Sequence, residues 1–249
     1  MLKKFAQTIG TLVREIEKWY TPLVNLPDKK LTKADIFHYY LSPEVNKRLL
    51  EDLAGHNVIV IQHFQPDYPV LKRNEQGKRI KIESFKNFEH PNDLGYWIRR
   101  RATEFHKVLG EQTNMYVIDI DPNEVDLETT KKVVKDVKDI LSRLPEVSNV
   151  EIRFSGGRGF YVIGYLNKKM NINEARERLK ELLKPLTANP MLTLSVPAKG
   201  QIRLDLSPMK KGGSFRALYS LNTSTGFISV PVKNIDSFNP YVHANPFRP

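Results

Sequence analysis

The segment Tyr116-Val117-Ile118-Asp119-Ile120-Asp121-Pro122 constrains this chain more than any other. Tyr116-Val117-Ile118 begins a strand, and on a strand alternate side chains share a face. Asp119 and Asp121 therefore project together while Ile118 and Ile120 point into a core. Pro122 cannot donate to a ladder and is expected to end the regular pairing. Paired oxygens at this spacing suit hard divalent cations such as magnesium or manganese, and two solvated acids at a strand end would show the same spacing.

Two further stretches extend the pattern. Gln201-Ile202-Arg203-Leu204-Asp205-Leu206 alternates, so Arg203 and Asp205 share one face opposite three aliphatic residues. A third carboxylate on a neighbouring strand would complete a metal cradle; taken alone, Asp205 reads as an exposed strand residue paired with Arg203. Ser155-Gly156-Gly157-Arg158-Gly159 joins strand-like runs at 150–154 and 160–166. Such glycines let backbone N–H groups turn inward as an anion-binding nest, to which Arg158 would add a bidentate phosphate contact. An ordinary hairpin turn has the same composition, and no Gly-Lys-Ser/Thr follows, so this is not a Walker loop.

Around these segments helices and strands are mixed. Apolar residues from Leu2 to Trp19 recur at three- and four-residue spacing, predicting an amphipathic helix over 1–20 packed on the main domain. Thr32 with Asp35 makes a capping box for a second helix, and Val58-Ile59-Val60-Ile61 is a buried strand. Residues 67–91 suggest a hairpin and loop, followed by a helix over 93–109 that carries Arg99-Arg100-Arg101 and His106. A long helix has Val133, Val137, Ile140, Leu141 and Leu144 on its apolar side. Another follows at Ala175, Leu179, Leu182, Leu183 and Leu186. Strands near 201–206, 216–221 and 227–232 cluster toward the end, and the Pro-rich tail 239–249 is expected to be irregular. The order favours an α+β fold, one domain over 1–249 with a mixed, largely antiparallel sheet flanked by helices.

Lysine and arginine outnumber the acids 39 to 28, a formal charge of +11 and a pI near 9.6, which favours a polyanionic partner. There is no cysteine, which excludes disulfides, thiolate catalysis and sulfur-bound zinc. No apolar run reaches the length of a membrane span or forms an export signal, so no membrane partner and a cytoplasmic location are expected.

Taken in order, these segments resemble the archaeo-eukaryotic primase superfamily, most closely the polymerase domain of the bacterial end-joining protein ligase D, here in a stand-alone, archaeal-type form. Leu31-Thr32-Lys33-Ala34-Asp35-Ile36 and Tyr39-Tyr40 look like the family's amino-terminal helix, and Ala102-Thr103-Glu104-Phe105-His106 like the helix before its first metal strand. Asp119-Ile120-Asp121-Pro122 is similar to the first catalytic motif, Ser155-Gly156-Gly157-Arg158-Gly159 to the second and Asp205 to the third. Tyr219-Ser220-Leu221 follows at the family spacing. The resemblance spans residues 18–238 and implies a primase-polymerase fold.

It also implies roles. Asp119, Asp121 and Asp205 would be catalytic and would hold two Mn2+ or Mg2+ ions. Ser155, Gly156, Gly157, Arg158, His106, Tyr161 and Arg216 would bind the incoming nucleotide, and Lys18 with Lys33 would grip a DNA 5′ phosphate. The implied partners are DNA with gaps or double-strand breaks and nucleoside triphosphates, ribonucleotides included, with a separate ligase and an end-binding protein. Tyr161 stands where the second motif ends in histidine, and Pro208 and Asn222 replace a glutamine and an arginine near the nucleotide. The expected activity is template-directed nucleotidyl transfer in gap filling or end joining. De novo priming and a non-catalytic end-binding module are the alternatives.

Overall fold

A computed structural model describes residues 31–62, 71–73, 79–81 and 91–246. The helix expected over 1–20, and Lys18 on it, lie outside these residues. Helix α1 (Lys33–Leu41) starts as its sequence requires: the Asp35 N–H donates to Thr32 Oγ1 at 3.2 Å and the Thr32 N–H to Asp35 Oδ2 at 2.9 Å. Helix α2 (Pro43–Leu53) opens on a proline, whose missing N–H is no loss in a first turn. Together they bury Ile36, Tyr39, Tyr40, Leu49 and Leu53 against strand β1 (Asn57–Ile61). The hairpin expected within 67–91 is present as β2 (Leu71–Arg73) and β3 (Arg79–Lys81).

Helix α3 (Pro91–Arg99) stops well short of the expected 109. Arg101 takes a φ of 64° and donates its N–H to the Ile98 carbonyl, while the Ala102 N–H reaches back to Trp97. This is a Schellman stop made without glycine. Residues Glu104–Val108 then form strand β4, paired on one side with β1 and on the other with β10 (Ser214–Arg216). His106 thus lies on a strand, where backbone partners on both sides replace the helical bonds it was expected to make.

Strand β5 (Gln112–Asn123), helix α4 (Leu127–Ser142), strands β6 (Val147–Phe154) and β7 (Phe160–Asn171), helix α5 (Ile172–Leu183), and strands β8 (Leu192–Thr193), β9 (Gln201–Asp205) and β11 (Val230–Pro231) build the larger layer. Its sheet runs β11-β6-β7-β5-β9-β8, antiparallel except for β8 with β9. The mixed, largely antiparallel α+β architecture is as expected. Helices α4 and α5 cover one face, burying Val134, Val137, Leu141, Ala175, Leu179 and Leu183 against the apolar rows of β5, β6 and β7. Phe154 and Phe160 are fully buried at its centre, 5.6 Å apart edge to face, each worth about 1.5–3 kcal/mol of burial. The other face turns toward the β1-β4-β10 sheet.

Three boundaries differ from the sequence reading. Pro122 does not end the pairing: it lies opposite Ile202 on β9, beyond the last β5–β7 pair at Ile120, so its missing donor falls on an unpaired edge. The strands expected over 216–221 and 227–232 shrink to β10, β11 and one bridge between Leu221 and Ile228, because Tyr219 takes a φ of 61° and breaks the run. The tail contains a short helix, α6 (Pro240–His243), capped by the Asn239 side chain. Among the described residues no helix is long and apolar enough to cross a membrane.

Candidate functional site

Strand register aligns four side chains across the face of the large sheet opposite α4 and α5. Asp119 on β5 lies directly opposite Tyr161 on β7 and Asp205 on β9, and Tyr161 in turn lies opposite Arg153 on β6. Asp121, one pleat further, lies opposite Arg203. Two segments that looked alike only in alternation are therefore neighbouring strands, and their three acids sit side by side.

The acids crowd one another. Burial, then the neighbouring Asp121 and Asp205 carboxylates, push Asp119 well above the ordinary carboxylate range. Burial also raises Asp121, against which the Arg158 charge works. Asp205 is held differently: its Oδ1 accepts from the Ser207 N–H at 2.8 Å and lies 3.1 Å from Arg203 Nη2, and its Oδ2 accepts from Ser207 Oγ at 2.8 Å. Among the described residues no three carboxylate or imidazole groups enclose a cation site as they stand. The donor set itself fits a hard divalent cation, being carboxylate oxygen in mutual repulsion, and Asp205 would join it by turning from Arg203.

The glycine turn stands at the end of the same strands. Ser155 Oγ accepts from the Gly157 N–H at 3.2 Å and donates to the Gly159 carbonyl at 3.0 Å, which fixes the loop, and Arg158 projects into solvent. Gly156 has a φ of +78°, and a Cβ on Gly159 would fall 2.0 Å from the Ile120 carbonyl. Only glycine lets β7 start this close to the aspartate strand. Thr225 Oγ1 donates to the Gly156 carbonyl, and the Asn222 amide approaches Gly157, so the 222–226 turn forms the wall beside it.

Tyr161 and Arg216 are both buried between the two sheets. Tyr161 is buried, its ring against Phe215 and its hydroxyl accepting the Arg216 N–H at 3.3 Å. The phenol links the two sheets. The Arg216 guanidinium donates to Glu104 Oε2 at 2.7 Å and to the Leu221 carbonyl. Glu104 also accepts from the N–H and hydroxyl of Thr223 and lies 3.4 Å from His106 Nε2. His106 is partly exposed beside this knot, opposite Arg216 in register. Lys33 is exposed at the start of α1.

Sequence reasoning missed Glu104 as the acid beneath His106 and Arg216, because it placed 104–108 on a helix. Glu104 and His106 on either side of apolar Phe105 were the available signal, and a short one. It also missed a second charged cluster. Asp52 Oδ1 accepts from Lys107 Nζ at 2.9 Å and Arg153 Nη1 at 3.0 Å, and its Oδ2 from the Leu218 N–H at 2.9 Å. Arg153 makes a fork to both Glu151 oxygens at 2.8 and 2.9 Å, and Tyr165 bridges the pair. Burial alone would raise the Asp52 carboxyl, but Arg153, Lys107 and the Leu218 N–H hold it below the ordinary range.

Among curated proteins none matches the sequence. Among solved structures the chain is similar to the polymerase domain of Mycobacterium tuberculosis ligase D, solved in complex with DNA. The TM-score is 0.68 at 21% identity over 86% of this chain and 85% of that one. At that identity the likeness shows the fold. The model of the LigD primase-polymerase domain family matches residues 32–236, which take in the aspartate strands, the glycine turn and β4. That family implies metal-dependent nucleotidyltransferase activity in DNA repair. With most of its length matched and its fold shared, this chain belongs to the LigD primase-polymerase domain family.

Proposed function

We propose that this chain adds nucleotides to a 3′ hydroxyl at gaps or breaks in DNA, directed by a template. The observation that carries the reading is the register that sets Asp119, Asp121 and Asp205 side by side on β5 and β9, crowded enough to favour a cation. Two magnesium or manganese ions bound there would supply the Lewis acid that stabilises the attacking and leaving oxygens.

The chain's own residues do the rest. The Ser155–Gly159 turn, fixed by the Ser155 hydroxyl, offers backbone to the phosphate chain, and exposed Arg158 adds a guanidinium whose charge acts on Asp121. His106 would reach the same phosphates from β4. Glu104 fixes Arg216, so this arginine supports His106 from behind and Arg158 carries more of the charge. Tyr161 holds the small sheet against the aspartate row, keeping both halves of the nucleotide site in place. Lys33, with Lys18, would hold the 5′ phosphate on the far side of a gap, which separates gap filling from priming. The ligase D domain of similar fold was solved with DNA, which supports the choice of substrate.

The test is extension of a gapped duplex with labelled nucleotides, with and without a downstream 5′ phosphate and with ribo- and deoxyribonucleotides. The reading expects incorporation in manganese or magnesium, stimulation by the 5′ phosphate and acceptance of ribonucleotides. Dinucleotide synthesis on unprimed single strands would replace it with priming. Tight end binding without incorporation in any divalent metal would leave a binding module.

A further inference from the structure

Arg203 is out of place in a cation site. It lies opposite Asp121, shares a face with Asp205 and puts Nη2 3.1 Å from Asp205 Oδ1. Its Nε is buried and finds no hydrogen-bond partner among the described residues. About a third of its side chain is exposed, so the group is not locked in the interior. The contrast with Arg153 in the same sheet is sharp: that guanidinium is buried and spends its donors on Glu151, Asp52 and Tyr165.

A guanidinium in this position has two effects. It neutralises Asp205 while the carboxylates stand alone, and it repels any divalent cation that approaches them. Once a nucleotide brings its phosphates to the site, the same fork has a better partner, since bidentate phosphate contacts satisfy more of its donors than one carboxylate oxygen does. The charge of exposed Arg158 on the glycine turn already acts on Asp121, so a phosphate chain crossing Asp121 would feel two guanidiniums.

Resting on the nucleotidyltransferase reading above, we propose that Arg203 is an exchangeable counter-ion: it pairs with Asp205 in the free protein and moves to the nucleotide's phosphates when metal and nucleotide bind. Asp205 is thereby freed to turn toward Asp119 and Asp121. Binding of metal and of nucleotide become coupled, each favouring the other, because Arg203 must leave for the first and is received by the second.

The test is Mn2+ titration followed by electron paramagnetic resonance, with and without a non-hydrolysable nucleoside triphosphate, on the wild type, Arg203→Gln, Arg203→Lys and Asp119→Asn. Without nucleotide, Arg203→Gln should bind Mn2+ on the order of tenfold more tightly than wild type, and Arg203→Lys, which keeps the charge, should stay near wild type. The triphosphate should tighten Mn2+ binding in the wild type by a larger factor than in Arg203→Gln. Unchanged or weaker Mn2+ binding by Arg203→Gln, with Asp119→Asn abolishing it, overturns the role of Arg203 and leaves the metal site standing. Mn2+ binding that survives Asp119→Asn unaltered overturns both.

Discussion

Two acidic clusters lie on the same face of one sheet, on either side of Tyr161, and they are built oppositely. Around Asp52 two acids meet two cations: Asp52 and Glu151 face Lys107 and Arg153, and the Leu218 N–H and Tyr165 hydroxyl take up further donors and acceptors. At the other end three acids crowd together, and among the described residues Arg203 is the one cation ion-paired to any of them. The first cluster neutralises itself and ties α2, β4 and β6 together. The second keeps an excess of negative charge at a cost in stability, which a fold retains where something else is to bind. A charged cluster is informative about function when its charge does not balance.

Changing an acid in each cluster should separate the two. Asp119→Asn should reduce nucleotide incorporation about a thousandfold, as expected when several kcal/mol of transition-state stabilisation are lost. The same change should leave the melting temperature unchanged or higher, since it relieves repulsion. Asp52→Asn should do the reverse. Breaking a buried pair leaves Lys107 uncompensated and costs about 3 kcal/mol, lowering the melting temperature by roughly 10 °C with activity per folded molecule retained.

The acid limb of stability sharpens the same contrast. Asp52 is held below its unfolded value, so its contribution is complete above the ordinary carboxylate pKa of about 4 and is lost as pH falls through the depressed folded value. Denaturant melts between pH 7 and pH 3 should show wild type losing more stability than Asp52→Asn once the pH falls below about 4. Tyr161→Phe, between the clusters, should have the smallest effect. Removing the acceptor for the Arg216 N–H costs about 1 kcal/mol, measured by denaturant unfolding, with a modest loss of activity as the two sheets loosen.

Local pattern made much of this legible. Alternation located β5 and β9, strand-like runs located β1, β6 and β7, and Thr32 with Asp35 announced α1. What escaped depended on contacts distant in sequence or on a residue in an unusual conformation. The end of α3 was hidden because Arg101 occupies a left-handed position where glycine would have marked the stop, and that moved His106 onto the wrong element. The Asp52 cluster joins residues 55 and 101 positions apart, and nothing in either segment names its partner. Asp205 was one solvated strand acid among several until register placed it opposite Asp119; before that, only the resemblance of ordered motifs connected them. The burial of Tyr161 and Arg216 between the two sheets could not be read locally, because both partners come from other strands.

The most direct measurement is thermal melting with and without Mn2+ on three proteins: wild type, Asp119→Asn and Asp52→Asn. An ion that binds the folded state at a hundred times its Kd adds about 2.7 kcal/mol, several degrees for a chain of this size. The account predicts that Mn2+ raises the melting temperature of wild type and of Asp52→Asn by the same amount and leaves Asp119→Asn where it was. An equal rise in Asp119→Asn would contradict it, placing the ion away from the aspartate row.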